Sequence, residues 1–480
     1  MNTNQNLLLM TDVYKLGHMR MYKPGTTKVY SYLCARSTKK EDKALFFGLQ
    51  PYLKLLSKGV SQKDANEFFE YYEMILGSKP PKDITDKINS LVALGHIPLQ
   101  IKAVPEGTYL DNKNVLATVT NTHPEFYWVV GFFESLLLKV WNTTSVATLS
   151  HKFKRKVLEK TKLTSDSDFL VPFLVHDFGY RGVSSEQTAE LSGAAHLVNF
   201  AGTDTVPAVK FLKTHYNASG LIGASVPASE HSIHCSFGST EQDELDYVNN
   251  MMDLNPTGLV SVVSDAYDYF RMLTKTLPKV KDKILARDGK YVVRPDSGDP
   301  MLILCGDPSA PTGSPESKGT FRLLDELFGS TVNSKGYKEL NPKIGVIYGD
   351  GMYFDRYSAI LDKMQEMGYA NTNLVIGIGG LLLQQHNRDD LGFAFKATYA
   401  EINGQPTELF KDPATDPGKR SHKGLMTLNK VTVGLEEKYI TTDCVTPEIE
   451  KTGELVEVFN NGKLTKEYTL QEIRDRANIF

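Results

Sequence analysis

The chain is 480 residues long, about three times the ~150-residue prior for a single domain, so two joined domains or one elaborated barrel are expected. Its 54 basic and 57 acidic side chains leave a formal charge of −3, with none of the basic excess that duplex nucleic acid demands. A hydrophobic content of 41% with 23% charged and 10% aromatic residues excludes the disordered, collagen-like and coiled-coil classes.

Near the start, Leu7 to Met10 is apolar but has no basic flank and is closely followed by Asp12, so it is not expected to be a secretory signal. The longest apolar run, Phe126 to Phe133, is far short of the ~20 residues of a membrane-spanning helix. Cys34, Cys235, Cys305 and Cys444 lie far apart with no Cys-x-x-Cys pair, which argues against structural zinc and a disulfide scaffold and makes a reducing cytoplasm the natural location.

From about residue 150 the grammar changes. An apolar run, Phe169 to Val175, leads into His176-Asp-Phe-Gly-Tyr-Arg-Gly182, and a helical pattern follows from Glu186 to Asn199. Leu259 to Asp265, Lys343 to Asp350 and Leu374 to Gly380 read as buried parallel strands, each ending in Gly, Asp or Ser. Tyr353, Tyr357, Ile360, Leu361, Met364 and Met367 form a helical stripe between two of them. Strand, turn, helix, strand is the order of an α/β barrel or a doubly wound sheet. The Pro-, Gly- and Ser-rich stretch Gly306 to Gly319 reads as a surface excursion. Beyond it, Asn403-Gly404 and Asn461-Gly462 are two-residue hairpin signals, and Thr469-Leu-Gln-Glu472 fits a capping box. A parallel α/β core over 150–388 is therefore expected, with a mixed α+β domain built from 1–149 and 389–480.

Polar residues concentrate where the strands end, the face that carries function in a parallel barrel. Phe178 could stack on a flat ring and Arg181 engage a phosphate or the ring's polar edge; a strand end with a structural arginine explains them equally well. In Gly202-Thr-Asp-Thr205, Asp204 could accept from an amide but would repel a carboxylate, and on spacing alone a plain turn is the better reading. Ser225-Val226-Pro-Ala-Ser-Glu230-His231-Ser-Ile-His234 offers His231 as base or nucleophile, while its His-x-x-His lacks a third ligand for zinc. Arg294-Pro-Asp-Ser-Gly-Asp299 suits phosphate through Arg294 and ribose hydroxyls or hydrated Mg²⁺ through Asp296. Gly349-Asp350-Gly351 and Gly377-Ile-Gly379-Gly380 allow backbone N–H groups to approach an anion, with Asp350 placed for ribose hydroxyls; packing alone can also demand such glycines. No Gly-x-Gly-x-x-Gly and no Gly-Lys-Ser/Thr loop occurs, which disfavours the dinucleotide fold and P-loop kinases. The residues alone lead to a phosphoribosyl or nucleotide site in an α/β barrel.

The same segments carry a resemblance. Thr11-Asp-Val-Tyr-Lys15, His176 to Ser185, Ala195 to Phe200 with Gly202 to Val206, Ser225-Val-Pro-Ala, Glu230-His-Ser232, Arg294 to Gly298 and Phe410-Lys-Asp-Pro413 resemble the nicotinamide phosphoribosyltransferases, in order from about residue 7 to 475. The resemblance implies the irregular (β/α) barrel of the type II phosphoribosyltransferases and transfer of phosphoribosyl from 5-phosphoribosyl 1-diphosphate to nicotinamide, for NAD salvage. It implies Mg²⁺ carried by the diphosphate, with protein ligands unassigned, ATP as a co-substrate, and a homodimer with shared active sites.

By resemblance, Phe178 and the partner subunit's Tyr14 sandwich the pyridine, Arg181 lies near the carboxamide, and Asp204 accepts from its N–H. His231 is the residue that ATP phosphorylates, supported by Glu230, Ser225 and Val226. Ser261, Asp265, Arg294, Asp296, Gly349, Asp350, Gly379, Gly380, Arg388 and Lys396 hold the phosphoribosyl and diphosphate groups, with Lys411 and Lys419 along the phosphate channel. The glycine run ends early at Gly379-Gly380-Leu381, and Gly306–Gly319 departs from the family pattern. The competing readings are a nicotinate phosphoribosyltransferase, which Asp204 opposes, and a non-catalytic ligand sensor on the same scaffold.

Overall fold

A computed structural model describes residues 5–37, 39–415, 420–434 and 436–478. The chain divides into two compact units: Met1–Thr148 with Lys210–Ser219 and His386–Phe480, and Leu149–Val209 with Gly220–Gln385. The expected division into 1–149 with 389–480 and an unbroken 150–388 differs from this in the short piece at 210–219 and at the end of the core, where 386–388, with Arg388, fall in the first unit.

In the first unit a seven-stranded antiparallel sheet draws strands from both ends of the chain. Thr26–Cys34 lies between Ala394–Ile402 and Val115–Asn121, and Leu99–Ala103 pairs with Val456–Asn460. Both Asn-Gly signals are hairpins: Ile402 faces Gln405 and Asn460 faces Lys463, and Asn403, Gly404, Asn461 and Gly462 all have positive φ. Thr469 caps the last helix through the expected box with Glu472.

The second unit is a parallel barrel. Its strands are β1 (Val175–Asp177), β2 (Thr257–Val263), β3 (Asp288–Arg294), β4 (Ile344–Tyr348) and β5 (Leu374–Ile378), hydrogen-bonded in the order β1-β5-β4-β3-β2. Short segments close the ring: Asp177 bridges Thr203, Gly202 bridges Ala224, and Ala228 bridges Ser261, all in parallel sense. The ring thus runs in sequence order, and every side chain from Val260 to Ser264 on β2 and just past its end is buried. The stripe expected around 353–367 is the helix Phe354–Glu366, which buries Tyr357, Ile360, Leu361 and Met364.

The run at 169–175 is mostly turn rather than strand. Pro172, lacking an N–H, sits in the first turn of the 3-10 helix Val171–Phe173, Phe169 is exposed, and β1 begins only at Val175. The 306–319 excursion is tied at its base: Gly306 and Gly319, both at positive φ, cross so closely that a Cβ on Gly319 would stand 2.3 Å from the Gly306 nitrogen.

Candidate active site

Alternation along β1 puts His176 and Phe178 on one side and Asp177 on the other. Asp177 is fully buried, accepts from the Gly179 N–H at 2.7 Å and the Thr203 hydroxyl at 3.1 Å, and fixes the turn that follows; burial raises its pKa despite these bonds. On the other side, His176 Nε2 lies 3.0 Å from Asp204 Oδ1, and the Ser225 hydroxyl donates to the same oxygen. A carboxylate only accepts, so Nε2 carries the hydrogen. Burial pushes the Asp204 pKa upward, but the bonds from His176 and Ser225, with the charges of His176 and Arg294, outweigh it and hold the carboxyl below its usual range.

Phe178 lies against His176, their ring centroids 5.0 Å apart, and over the backbone of two glycines. A Cβ on Gly377 would stand 2.0 Å from the Phe178 ring, and one on Gly349 would stand 3.0 Å from it and 2.8 Å from an Asp296 oxygen. These glycines thus have a packing reason, as does Gly380, whose Cβ would meet the Gly182 carbonyl at 2.8 Å. Gly379 is more open, with the Phe178 carbonyl 4.0 Å away. Arg181 is exposed in the single turn Tyr180–Gly182.

The phosphoribosyl side is built from the ends of β2, β3 and β4. The Asp265 side chain is 2% exposed; its Oδ1 lies 3.2 Å from His231 Nε2, and its Oδ2 accepts from the Asp296 N–H at 2.8 Å and the Ser297 hydroxyl at 2.5 Å. The Tyr348 hydroxyl secures the same turn at the Ser297 and Gly298 carbonyls, 2.9 and 3.0 Å away. Arg294 is 3.7 Å from Asp296, and its buried Nε has no partner among the described residues. Burial drives the Asp296 pKa up; Arg294 and His231 oppose this, while Asp265 and Asp350 reinforce it. Asp350 is exposed beside Gly351, whose positive φ turns its carbonyl toward Arg356 Nη1, 2.6 Å away.

His231 opens the helix His231–Phe237 with its side chain 45% exposed, and Glu230 before it accepts from the Ser232 hydroxyl. His234 is a core residue, stacked on Tyr247 at 4.2 Å, and no group of three or more His, Cys, Asp or Glu among the described residues is arranged to hold a metal. Ser225 is exposed and Val226 half-buried between the two closing bridges; Ser261 is buried inside β2, where its backbone pairs with Pro227 and Ser229.

Tyr14, Arg388, Lys396 and Lys411 belong to the first unit. Tyr14 is 64% exposed, and Arg388 pairs with Asp389 at 3.2 Å. The Lys396 pKa is pushed down by burial, then by the positive charges of Arg36 and Lys411, with Cys34 opposing. Lys419 lies outside the described residues. His176, Asp177, Ser297 and Tyr348 lie inside the sequence motifs but carry no role legible there, and Arg36 lies outside them. Period-two alternation with Phe178 was the available signal for His176.

The barrel mouth thus joins a charged hydrogen-bond acceptor beside an aromatic ring to a cluster of guanidinium, histidine and carboxylates. Such a mouth takes a flat ring bearing an N–H on one side and a hydroxylated, anionic group on the other. Residues 173–463 match the nicotinate phosphoribosyltransferase family, and residues 6–100 match the nicotinamide phosphoribosyltransferase N-terminal domain. The chain belongs to the nicotinate phosphoribosyltransferase family and is a phosphoribosyl-transferring enzyme, a pentosyltransferase.

Relatives named nicotinamide phosphoribosyltransferase match it over most or nearly all of its length. The protein of Acinetobacter baylyi is 38% identical, covering 98% of this chain and 97% of its own, and that of Xanthomonas campestris pv. campestris is 37% identical over 98% of each. That of Mycoplasma pneumoniae is 32% identical over 88% of this chain and 96% of its own. Crystal structures of nicotinate-nucleotide pyrophosphorylase from Pyrococcus furiosus and of human nicotinic acid phosphoribosyltransferase each give a TM-score of 0.60. They are 15% and 16% identical, and cover 99% and 98% of this chain and 95% and 93% of their own. They bear out the type II phosphoribosyltransferase fold expected from the sequence.

Proposed function

We propose that the chain transfers the phosphoribosyl group of 5-phosphoribosyl 1-diphosphate to nicotinamide, giving nicotinamide mononucleotide and diphosphate in NAD salvage. The observation that carries this reading is Asp204, held ionised beside Phe178 by His176 and Ser225. An anionic acceptor stabilises a carboxamide N–H and repels the carboxylate of nicotinate. The relatives' name supports the same substrate.

The pyridine nitrogen attacks the anomeric carbon as its bond to the diphosphate oxygen breaks. The electron pair leaves with diphosphate, and the positive charge ends on the pyridinium. No proton moves, so positioning and charge stabilisation suffice, and Arg294 is the cation placed for them. Mg²⁺, when bound on the diphosphate, neutralises the leaving group. The carboxylates of Asp296 and Asp350, close enough to raise the pKa of the former, suit a hard cation or ribose hydroxyls. In this reading ATP phosphorylates His231. Asp265 holds the hydrogen on Nε2 and leaves the Nδ1 lone pair to attack the γ-phosphorus, with ADP leaving. Action in a reducing cytoplasm fits the four free cysteines.

The test is to incubate the pure protein with the diphosphate donor, Mg²⁺ and either pyridine, with and without ATP. Mononucleotide from nicotinamide is expected; its absence with both pyridines overturns the reading. Asp204→Ser should lower the preference for nicotinamide by about 10-fold or more, as expected for losing a hydrogen bond to a charged group.

A further inference from the structure

Asp204 is 28 positions from His176 in sequence, yet the two side chains meet at the barrel mouth. Among the described residues both side-chain donors to Asp204, His176 and Ser225, land on Oδ1, while the side chain stays 47% exposed; Oδ2 is the oxygen left to face a ligand. His176 itself is only 11% exposed and is held from two sides. Its ring lies against Phe178, and its other flank rests on Gly202, where a Cβ would stand 2.8 Å from Nδ1. One imidazole therefore touches both parts of the base pocket, the aromatic shelf and the anionic acceptor. Among the described residues, the His176 hydrogen bond and ring contact go to Asp204 and Phe178 and not to Arg294, Asp296 or Asp350.

We propose that His176 is a positioning residue that aims the Asp204 carboxylate at the carboxamide of the base and braces Phe178 beneath the ring, so that it sets base affinity and base preference. This rests on the nicotinamide reading above and adds to it the residue that orients the acceptor.

The test uses the full chain and separates the two substrates. His176→Ala should raise KM for nicotinamide roughly 10-fold or more, the scale of a lost hydrogen bond to a charged group, while KM for the diphosphate donor stays within about twofold. It should also lower the nicotinamide-to-nicotinate ratio of kcat/KM. His176→Gln, whose amide can still donate to Asp204, should recover most of the nicotinamide affinity, which a purely structural role would not require. If the alanine variant fails to fold, His176→Phe keeps the ring and removes the donor, and the same base-selective loss is expected. The proposal is overturned by an unchanged nicotinamide KM, by equal increases in both KM values, or by a glutamine variant as weak as alanine. Failure of the parent reading shows separately, as wild-type protein that makes no mononucleotide from nicotinamide.

Discussion

Gly377 shows how one missing methyl group shapes the site. Its Cα supports the Phe178 ring so closely that a Cβ would fall 2.0 and 2.1 Å from two ring carbons. Gly377→Ala must therefore push the ring from its place, at about 1–3 kcal/mol in stability, the usual range for overpacking. It should also weaken base binding more than donor binding; unchanged nicotinamide affinity in a folded variant would show that the ring does not form the base shelf. Asp296 makes a different prediction. Its folded pKa is raised, chiefly by burial, so the folded chain binds its proton more tightly than the unfolded chain does. Its contribution to stability is full below the unfolded value of about 3.9 and is lost as pH rises through the raised folded value. Without ligands, Asp296→Asn should thus be more stable than wild type at pH 7, with the gap closing as pH falls toward 4. Denaturant unfolding at several pH values measures this, and a gap independent of pH contradicts it.

At the scale of elements, legibility followed the strength of local signals. The Asn403-Gly404 and Asn461-Gly462 hairpins, the Thr469 capping box and the 354–366 helix were readable because two-residue turns, caps and the 3.6-residue stripe are local chemistry. The segments that close the barrel were not readable. Thr203, Ala224 and Ala228 each contribute a single bridge, too short to show any periodicity. In the site, the strand ends named the polar residues, but the Asp265–His231 contact and the packing duty of Gly377 depend on neighbours distant in sequence. Nor did sequence reveal why 210–219 groups with the first unit. Glu106, buried there, accepts from the Gly48 and Gln50 N–H groups at 2.9 and 2.7 Å and from the Tyr216 hydroxyl at 2.8 Å, while Gln50 donates to the His215 carbonyl at 2.6 Å. Glu106→Ala leaves three buried donors without an acceptor, for a loss of about 3 kcal/mol or more, whereas Tyr216→Phe removes one bond and should cost about 1 kcal/mol. Equal losses in denaturant unfolding would show that the backbone donors find other partners.

At the scale of the whole molecule, near-neutral charge and the phosphate-binding cations that the proposed reaction requires are reconciled by local concentration. Burial depresses the Lys396 pKa in the first unit, and Arg36 and Lys411 lie close enough to lower it further, while Arg294 lies in the barrel. The resemblance names site residues in each unit, and it assigns Tyr14 to a neighbouring subunit's site. Its presentation suits that duty. Tyr14 is 64% exposed, while the next residue, Lys15, is 4% exposed and anchored to Glu134 at 2.7 Å and the Gly131 carbonyl at 3.0 Å, so a fixed backbone displays a large aromatic ring to the outside. If sites are shared in a homodimer, Tyr14→Ala and Arg294→Ala damage complementary halves. Each variant alone should be nearly inactive. Co-expressed in equal amounts, half of the dimers are mixed and each mixed dimer keeps one intact site, so about a quarter of wild-type activity should return. Measuring transferase activity of the mixed dimer against each parent decides it: no recovery means that every site is completed within a single chain, and Tyr14 then serves its own barrel.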